Sequence, residues 1–197
     1  MNLPNKLTVI RMCMVPVVIA LIMLAGIIPP ALAYLLAAAV FSLASLTDML
    51  DGRIARKYNL ITDFGRFLDP LADKFMVIGT MLCLLYKMDA IRPYFFWAVL
   101  LVVFRELMVT GLRLVVVSSS GKVIAANKLG KIKTVTQMVC VVCVLVEPAV
   151  EILVGEGYPL EGMYPVSIVT TVVMAFFTLL SGAAYVWGCR HLLNPNK

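Results

Sequence analysis

The chain has 197 residues, of which 62% are hydrophobic and 14% are charged, and its net charge at pH 7 is +6. Together with a mean hydropathy of +0.98, this composition excludes a soluble globular protein and predicts an integral membrane protein. The positive charge does not indicate nucleic-acid binding, because the basic residues stand in short segments between apolar stretches. The length predicts a single domain over residues 1–197.

Six apolar stretches are long enough to cross a hydrocarbon layer of roughly 30 Å, which takes about 20 helical residues. Within lipid a chain must satisfy its own backbone hydrogen bonds, and no pattern here is typical of a closed barrel. The predicted fold is therefore an all-α integral membrane protein with six transmembrane helices. The predicted spans are 8–28, 31–51, 66–86, 94–117, 134–154 and 164–188.

The distribution of charge predicts the orientation of these spans. Basic residues cluster between spans two and three and between spans four and five, whereas the connection after span five carries glutamates and no lysine or arginine. By the positive-inside rule, both termini and the basic loops are predicted to be cytoplasmic. Segment 1–11, with Asn5, Thr8 and Arg11 at helical spacing, is predicted to lie at the cytoplasmic interface.

Residues 48–73 carry two pairs of aspartates, Asp48 with Asp51 and Asp69 with Asp73. The members are three and four residues apart, so on helices each pair shares one face. Two such helices facing each other would gather four carboxylates, which repel one another unless cations lie between them. Oxygen ligands of this kind favour Mg²⁺ or Mn²⁺. Both pairs are expected one to two helical turns inside the membrane from its cytoplasmic surface.

Two small residues, Gly52 and Ala55, leave room beside the first pair for a flat or phosphorylated ligand. The whole pattern, Asp-x2-Asp-Gly-x2-Ala-Arg-x8-Gly-x3-Asp-x3-Asp, resembles at every position the signature of the CDP-alcohol phosphotransferase family. Eight fixed positions at fixed intervals make a chance match improbable. The window 48–73 is therefore interpreted as the catalytic motif of the domain.

Further cations lie in the second half of the chain. Arg105 and Arg113 are eight residues apart and nearly on one helix face, with Glu106 next to the first. Each arginine could pair with Glu106 or reach the interface, or both could form a clamp on a phosphate, for which a guanidinium is well shaped. The lysines that begin span five are explained equally well by topology or by a phosphate-binding vestibule; they are Lys128, Lys131 and Lys133.

The family resemblance implies a metal-dependent transferase of phospholipid biosynthesis that moves the phosphatidyl group of CDP-diacylglycerol to an alcohol and releases CMP. Segments 3–11, 105–113, 130–134 and 181–185 are most similar to members whose acceptor is sn-glycerol 3-phosphate. The resemblance implies two Mg²⁺ or Mn²⁺ ions per site, with Asp73 as general base as well as ligand. The implied ligands are Asp48, Asp51, Asp69 and Asp73.

The resemblance also assigns the remaining contacts and the setting. CDP-diacylglycerol would lie against Asn5, Thr8, Gly52, Ala55, Arg56 and Gly65. The acceptor phosphate would lie against Arg105, Arg113, Lys128, Lys131 and Lys133. The implied protein is a homodimer with several passes through the cell (bacterial inner) membrane, an active site facing the cytoplasm and no nucleic-acid partner.

Two other functions stay open on the sequence. Within the family, a cardiolipin synthase or an inositol-phosphate transferase shares the motif and differs in its acceptor. Outside the family, a cation transporter could bind ions with intramembrane aspartates. Gly52, Ala55 and Arg56 favour a nucleotide ligand over ion transport. The motif contains no serine or histidine, which favours direct attack of the acceptor over a covalent enzyme intermediate.

Overall fold

The computed structural model describes residues 3–58, 63–120, 128–155 and 162–190. Within these ranges, the side chains of residues 3–5, 49–58, 63–67, 69 and 117–120 lie outside the description. The described residues form six α-helices, which confirms the predicted all-α fold. The helices are α1 (Leu3–Met23), α2 (Pro30–Tyr58), α3 (Asp63–Lys87), α4 (Arg92–Ser120), α5 (Lys128–Val154) and α6 (Pro165–Cys189).

Four of these helices, α1, α2, α5 and α6, are long and apolar enough to cross a membrane over their described residues. The other two, α3 and α4, carry charged residues at positions away from their ends, among them Asp73, Lys74, Arg105 and Glu106. This arrangement is that of a multi-pass membrane protein, and the charges of α3 and α4 mark the part of the bundle that is not purely apolar.

The helices pack so that α1 lies against α2 and α3, α2 lies against α5, and α6 lies against both α4 and α5. The buried face of α2 is lined with alanines, including Ala33, Ala37 and Ala44, none of which is exposed. Small side chains allow helix backbones to approach closely. Close approach matters in lipid, because lipid tails are as apolar as the protein core and helices associate largely through van der Waals packing. The alanines thus bring α2 close to its neighbours.

The outer surface of the bundle is strongly apolar. Trp97, Leu107 and Trp187 are each about 70% exposed, and they belong to a larger set of exposed aliphatic and aromatic residues. Soluble monomers rarely expose apolar surface on this scale, whereas lipid-facing helices do so throughout. The surface therefore agrees with the composition.

The boundaries of the first helix differ from the predicted ones. The helix α1 is continuous from Leu3, so residues 3–11, the described part of the predicted interfacial segment, form the start of the first long helix. It ends at Met23 instead of residue 28, because Gly26 adopts a φ of +115°, which breaks the helix and is open chiefly to glycine. The next helix begins at Pro30, a residue favoured in the first helical turn.

Candidate active site

A cavity of about 640 Å³ lies between α2, α3, α4, α5 and α6. Its size is that of a small-molecule site. Six of the predicted site residues converge on it from four helices: Asp48, Asp73, Arg105, Arg113, Lys131 and Lys133. The cavity therefore joins the acidic motif to the basic segments, which are more than thirty residues apart in sequence.

On the acidic side, Asp48 of α2 is held by an arginine from α1. The guanidinium of Arg11 lies 2.5 Å from Oδ1 of Asp48, and the Arg11 side chain is only 1% exposed while that of Asp48 is 32% exposed. A buried arginine opposite a carboxylate fixes the orientation of the carboxylate. Although α1 does not line the described part of the cavity, it contributes the charge that orients one wall.

Asp73 of α3 faces the same cavity. Its Oδ1 atom is buried and has no hydrogen-bond partner among the described residues. Its carboxylate interacts electrostatically with that of Asp48, and two carboxylates in one poorly solvated space repel each other. A buried carboxylate oxygen without a donor is costly unless a proton or a cation reaches it. This oxygen therefore suits a divalent cation, whose ligands are carboxylate oxygens.

The remaining two members of the acidic motif are described only as backbone. Positions 51 and 69 lie within α2 and α3 respectively, so each predicted pair stands on one continuous helix. The side chains of Asp51 and Asp69 lie outside the described residues. Among the side chains that are described, no three of the ligating types come together. The metal site of four carboxylates thus stays a prediction. Of its four aspartates, Asp48 and Asp73 are the two whose side chains are described.

On the opposite wall, three charged side chains form one network. Oε1 of Glu106 accepts hydrogen bonds from the guanidinium of Arg105, at 2.9 Å, and from the ammonium of Lys133, at 2.5 Å. All three side chains are 12% exposed or less. Arg105 does pair with Glu106, which was one of its two expected roles, but it also lines the cavity. The pair with Glu106 is thus present, whereas the phosphate clamp stays a prediction.

The other predicted cations differ in position. Arg113 and Lys131 line the cavity and are exposed. Lys128 is exposed on the first turn of α5 and is absent from the described cavity lining. Lys133, the buried one, faces the cavity.

Helix α6 completes the basic wall with Ser181 and Tyr185, which both line the cavity. Between them, a Cβ atom added at Gly182 would lie 3.3 Å from Cγ of Arg105 and 3.6 Å from Cε of Met108. A side chain at position 182 would therefore press on the arginine. The absence of one lets α4 and α6 pack with Arg105 directed along the cavity wall.

Sequence reasoning missed several residues of the site. Lys74 lines the cavity, and its ammonium donates a hydrogen bond of 2.6 Å to Oγ1 of Thr110 in α4. Its position directly after Asp73, in an apolar helix, was a signal for a role in the site. Arg11 also stood out as a cation inside a hydrophobic stretch. The participation of Tyr185 had no signal beyond the local motif of 181–185.

The residues expected to contact CDP-diacylglycerol are mostly not described in full. Asn5, Gly52, Ala55, Arg56 and Gly65 are described only as helical backbone. Thr8 is described, and it is 1% exposed and absent from the cavity lining. Thr8 therefore lies within the helix packing of α1, so any contact with a ligand would be indirect in this arrangement.

The cavity joins carboxylates to cations within a helical membrane protein, and comparison with known proteins identifies the class to which this protein belongs. The model of the CDP-alcohol phosphatidyltransferase family matches residues 1–188. The chain belongs to this family. The family resemblance predicted from the motif in residues 48–73 is thus confirmed, and the match extends over nearly the whole chain.

Individual relatives show which members of the family this chain is similar to. The chain is 41% identical over 196 residues to the CDP-diacylglycerol–glycerol-3-phosphate 3-phosphatidyltransferase of Bacillus subtilis (strain 168), with 93% of both chains covered. It is 38% identical over 194 residues to the protein of the same name from Rickettsia felis, with 96% of both covered. A cardiolipin synthase (CMP-forming) of Oryza sativa subsp. japonica is 36% identical over 174 residues, with 81% of this chain and 52% of that one covered. The predicted likeness to bacterial phosphatidylglycerophosphate synthases is confirmed.

Proposed function

We propose that the chain transfers the phosphatidyl group of CDP-diacylglycerol to sn-glycerol 3-phosphate, giving phosphatidylglycerophosphate and CMP. The observation that carries this proposal is the cavity itself, which presents carboxylates on α2 and α3 and basic side chains on α4 and α5. A reaction between a lipid pyrophosphate and a soluble phosphate needs both kinds of wall in one place. Two relatives covered over nearly their whole length carry the name of this activity.

The acidic wall is proposed to hold two Mg²⁺ or Mn²⁺ ions through the carboxylates of Asp48, Asp51, Asp69 and Asp73. The partnerless Oδ1 of Asp73 supports this assignment. Bound there, such ions would neutralise the pyrophosphate of the donor and the charge that develops on the leaving CMP. Arg11, paired with Asp48, would keep the Asp48 carboxylate turned toward the cavity in the absence of the ions.

Asp73 is further proposed to act as the general base. It stands in the cavity wall and interacts electrostatically with Asp48, Lys133 and Glu106. From that position its carboxylate would take the proton of the acceptor hydroxyl as the oxygen attacks phosphorus. The phosphoanhydride bond to CMP then breaks. No serine or histidine in residues 48–73 offers a covalent alternative, so the attack is proposed to be direct.

The basic wall is proposed to bind the phosphate of glycerol 3-phosphate through Arg105, Arg113, Lys131 and Lys133, which line the cavity. Lys128 is proposed only as part of the approach, since it lies away from the described lining. Guanidinium groups bind phosphate through two parallel hydrogen bonds, whereas ammonium groups act as point charges. A soluble dianion would therefore be oriented by the arginines and attracted by the lysines.

The donor is proposed to enter from the lipid, with its cytidine diphosphate near Gly52, Ala55, Arg56 and Gly65. Asn5 at the start of α1 is proposed as a second, outer part of this binding surface, with Thr8 supporting it from the helix packing. All six helices are proposed to cross the bacterial inner membrane, with both termini and the cavity on the cytoplasmic side. The polar side chains of α3 and α4 that face the cavity fit spans whose charged positions serve the site. A homodimer is proposed from the family resemblance.

Measuring CMP release by the purified protein tests the proposal. CDP-diacylglycerol would be supplied in detergent with glycerol 3-phosphate, phosphatidylglycerol, inositol phosphate or glycerol as acceptor. Activity is expected with Mg²⁺ and glycerol 3-phosphate, and only weak activity is expected with glycerol, which lacks the phosphate. A preference for phosphatidylglycerol would instead indicate a cardiolipin synthase, the function named for the similar rice protein.

A further inference from the structure

Glu106 is an unexpected residue in a wall proposed to bind phosphate. Outside α2 and α3, it is the one acidic side chain in the described cavity lining. It is 12% exposed, so solvent does little to weaken its charge. A carboxylate in this position repels an incoming phosphate, and its presence therefore needs a compensating reason.

The contacts of Glu106 supply such a reason. Through the same oxygen it binds Arg105, its neighbour on α4, and Lys133, which comes from α5. The helices α4 and α5 do not pack closely against each other in the described part of the chain. The bond to Lys133 therefore joins two helices that do not pack closely against each other, although α6 packs against both. Without the carboxylate, the two cations would repel each other.

Both cations keep donors that Glu106 does not use. Nε of Arg105 is buried and has no hydrogen-bond partner among the described residues. The ammonium of Lys133 has three donor hydrogens, of which one is directed at Glu106. The three side chains together carry a net charge of +1. They form a prearranged group with donors available for an anion.

We propose that Glu106 is a positioning residue for the acceptor phosphate, holding Arg105 and Lys133 side by side so that their remaining donors bind the phosphate together. This inference rests on the proposed function and deepens it by explaining how two cations from different helices act as one phosphate subsite. Glu106 itself does not touch the substrate. Its main effect is on the affinity for the acceptor, because the donor is proposed to lie against other residues.

The test compares Glu106→Gln and Glu106→Asp with a matched control, Glu147→Gln. Glu147 is also a buried glutamate, but it is absent from the cavity lining and accepts hydrogen bonds from the backbone N–H groups of Val166 and Ser167 at the start of α6. Steady-state kinetics in detergent would vary both substrates for each variant. Thermal unfolding would be measured on the same preparations, so that a loss of stability is separated from a loss of acceptor affinity.

Glu106→Gln is expected to raise the KM for glycerol 3-phosphate about tenfold, the usual effect of losing one charge-assisted contact from a poorly solvated site. The KM for CDP-diacylglycerol should change less than twofold. Glu106→Asp, which keeps the charge on a shorter side chain, should show a smaller rise. Glu147→Gln should lower the melting temperature and leave the ratio of the two KM values as in the parent.

Three results would overturn the assignment. If Glu106→Gln is less stable but its KM for glycerol 3-phosphate is unchanged, Glu106 only stabilises the contact between α4 and α5. If that KM is lowered, the Glu106 carboxylate instead repels the acceptor phosphate. If Glu106→Gln is not recovered folded, an unchanged KM ratio in Glu106→Asp has the same meaning. A parent protein that releases no CMP with glycerol 3-phosphate, but does so with another acceptor, overturns the proposed function and this assignment with it.

Discussion

The pair formed by Arg11 and Asp48 gives the sharpest stability prediction, through the substitution Arg11→Ala. Breaking a fully buried ion pair by removing one partner costs about 3–5 kcal/mol, whereas a fully exposed pair contributes roughly 0–1 kcal/mol. Here the arginine is 1% exposed and the aspartate 32%. We therefore expect Arg11→Ala to destabilise the protein by about 2–3 kcal/mol, between these two limits.

For a chain of this length, about 1 kcal/mol shifts the melting temperature by roughly 2–4 °C. The expected decrease for Arg11→Ala is therefore about 5–10 °C in detergent without divalent cations. Added Mg²⁺ should recover part of the loss if it binds at Asp48, because the ion replaces the missing positive charge. Lys6→Ala is the matched control, since Lys6 is an exposed cation on the same helix.

A double-mutant cycle decides whether the effect comes from the pair. In the Arg11→Ala background, Asp48→Asn should cost much less than it does in the parent, because the carboxylate has already lost its partner. The reasoning is refuted if the two substitutions add without coupling, or if Arg11→Ala and Lys6→Ala lower the melting temperature equally. Arg11 would then contribute packing of its long side chain rather than the orientation of Asp48.

Substitutions at three further positions probe the cavity. Asp73→Asn should nearly abolish CMP release and should lower kcat more than it weakens Mg²⁺ affinity, as expected of a base that is also a ligand. Titrating the variant with Mg²⁺ while CMP release is followed measures kcat and Mg²⁺ affinity together. Full activity would exclude Asp73 as the general base. Arg113→Ala should raise the glycerol 3-phosphate KM by about 10- to 150-fold, corresponding to roughly 1.5–3 kcal/mol. Arg113→Lys should recover only part of the lost affinity, because an ammonium group keeps the charge but not the two parallel hydrogen bonds. An equal rise in the KM for CDP-diacylglycerol would contradict a contact with the acceptor phosphate. Gly182→Ala should raise the same KM by displacing Arg105, from whose Cγ the new Cβ would be 3.3 Å away; kinetics that match the parent would show that the arginine adapts.

The helices were predictable because lipid imposes a simple rule on the sequence. An apolar stretch of about 20 residues has to be helical, and each of the six predicted spans overlaps one helix. The ends were less predictable. The helix α2 continues through the acidic motif to Tyr58, and α1 stops at Met23 because of the backbone at Gly26. Such ends depend on single residues and local hydrogen bonds, which average hydropathy does not detect.

The candidate site was predictable where spacing along one helix decided the outcome. The intervals between the aspartates placed both pairs on helices, and Asp48 and Asp73 do face one cavity. Contacts between helices could not be predicted in the same way. The pairing of Arg11 with Asp48 depends on how α1 is rotated against α2, and the contact of Lys133 with Glu106 joins residues 27 positions apart. Helix rotation and register are properties of packing, and one sequence does not specify them by periodicity.

These two unpredicted contacts have a common physical logic. Each set of like charges has one buried partner of the opposite charge. Arg11 pairs with Asp48 from outside the described cavity lining, and Glu106 lies among the cations of α4 and α5. Like charges gathered for a ligand repel one another before it arrives, so a fixed counter-charge lowers that repulsion and sets the position of the groups. One donor and one acceptor of these walls, Nε of Arg105 and Oδ1 of Asp73, are buried and have no hydrogen-bond partner among the described residues. On this argument, the site depends on where its charges are held, and a variant that preserves the net charge but moves one of these contacts should still lose activity.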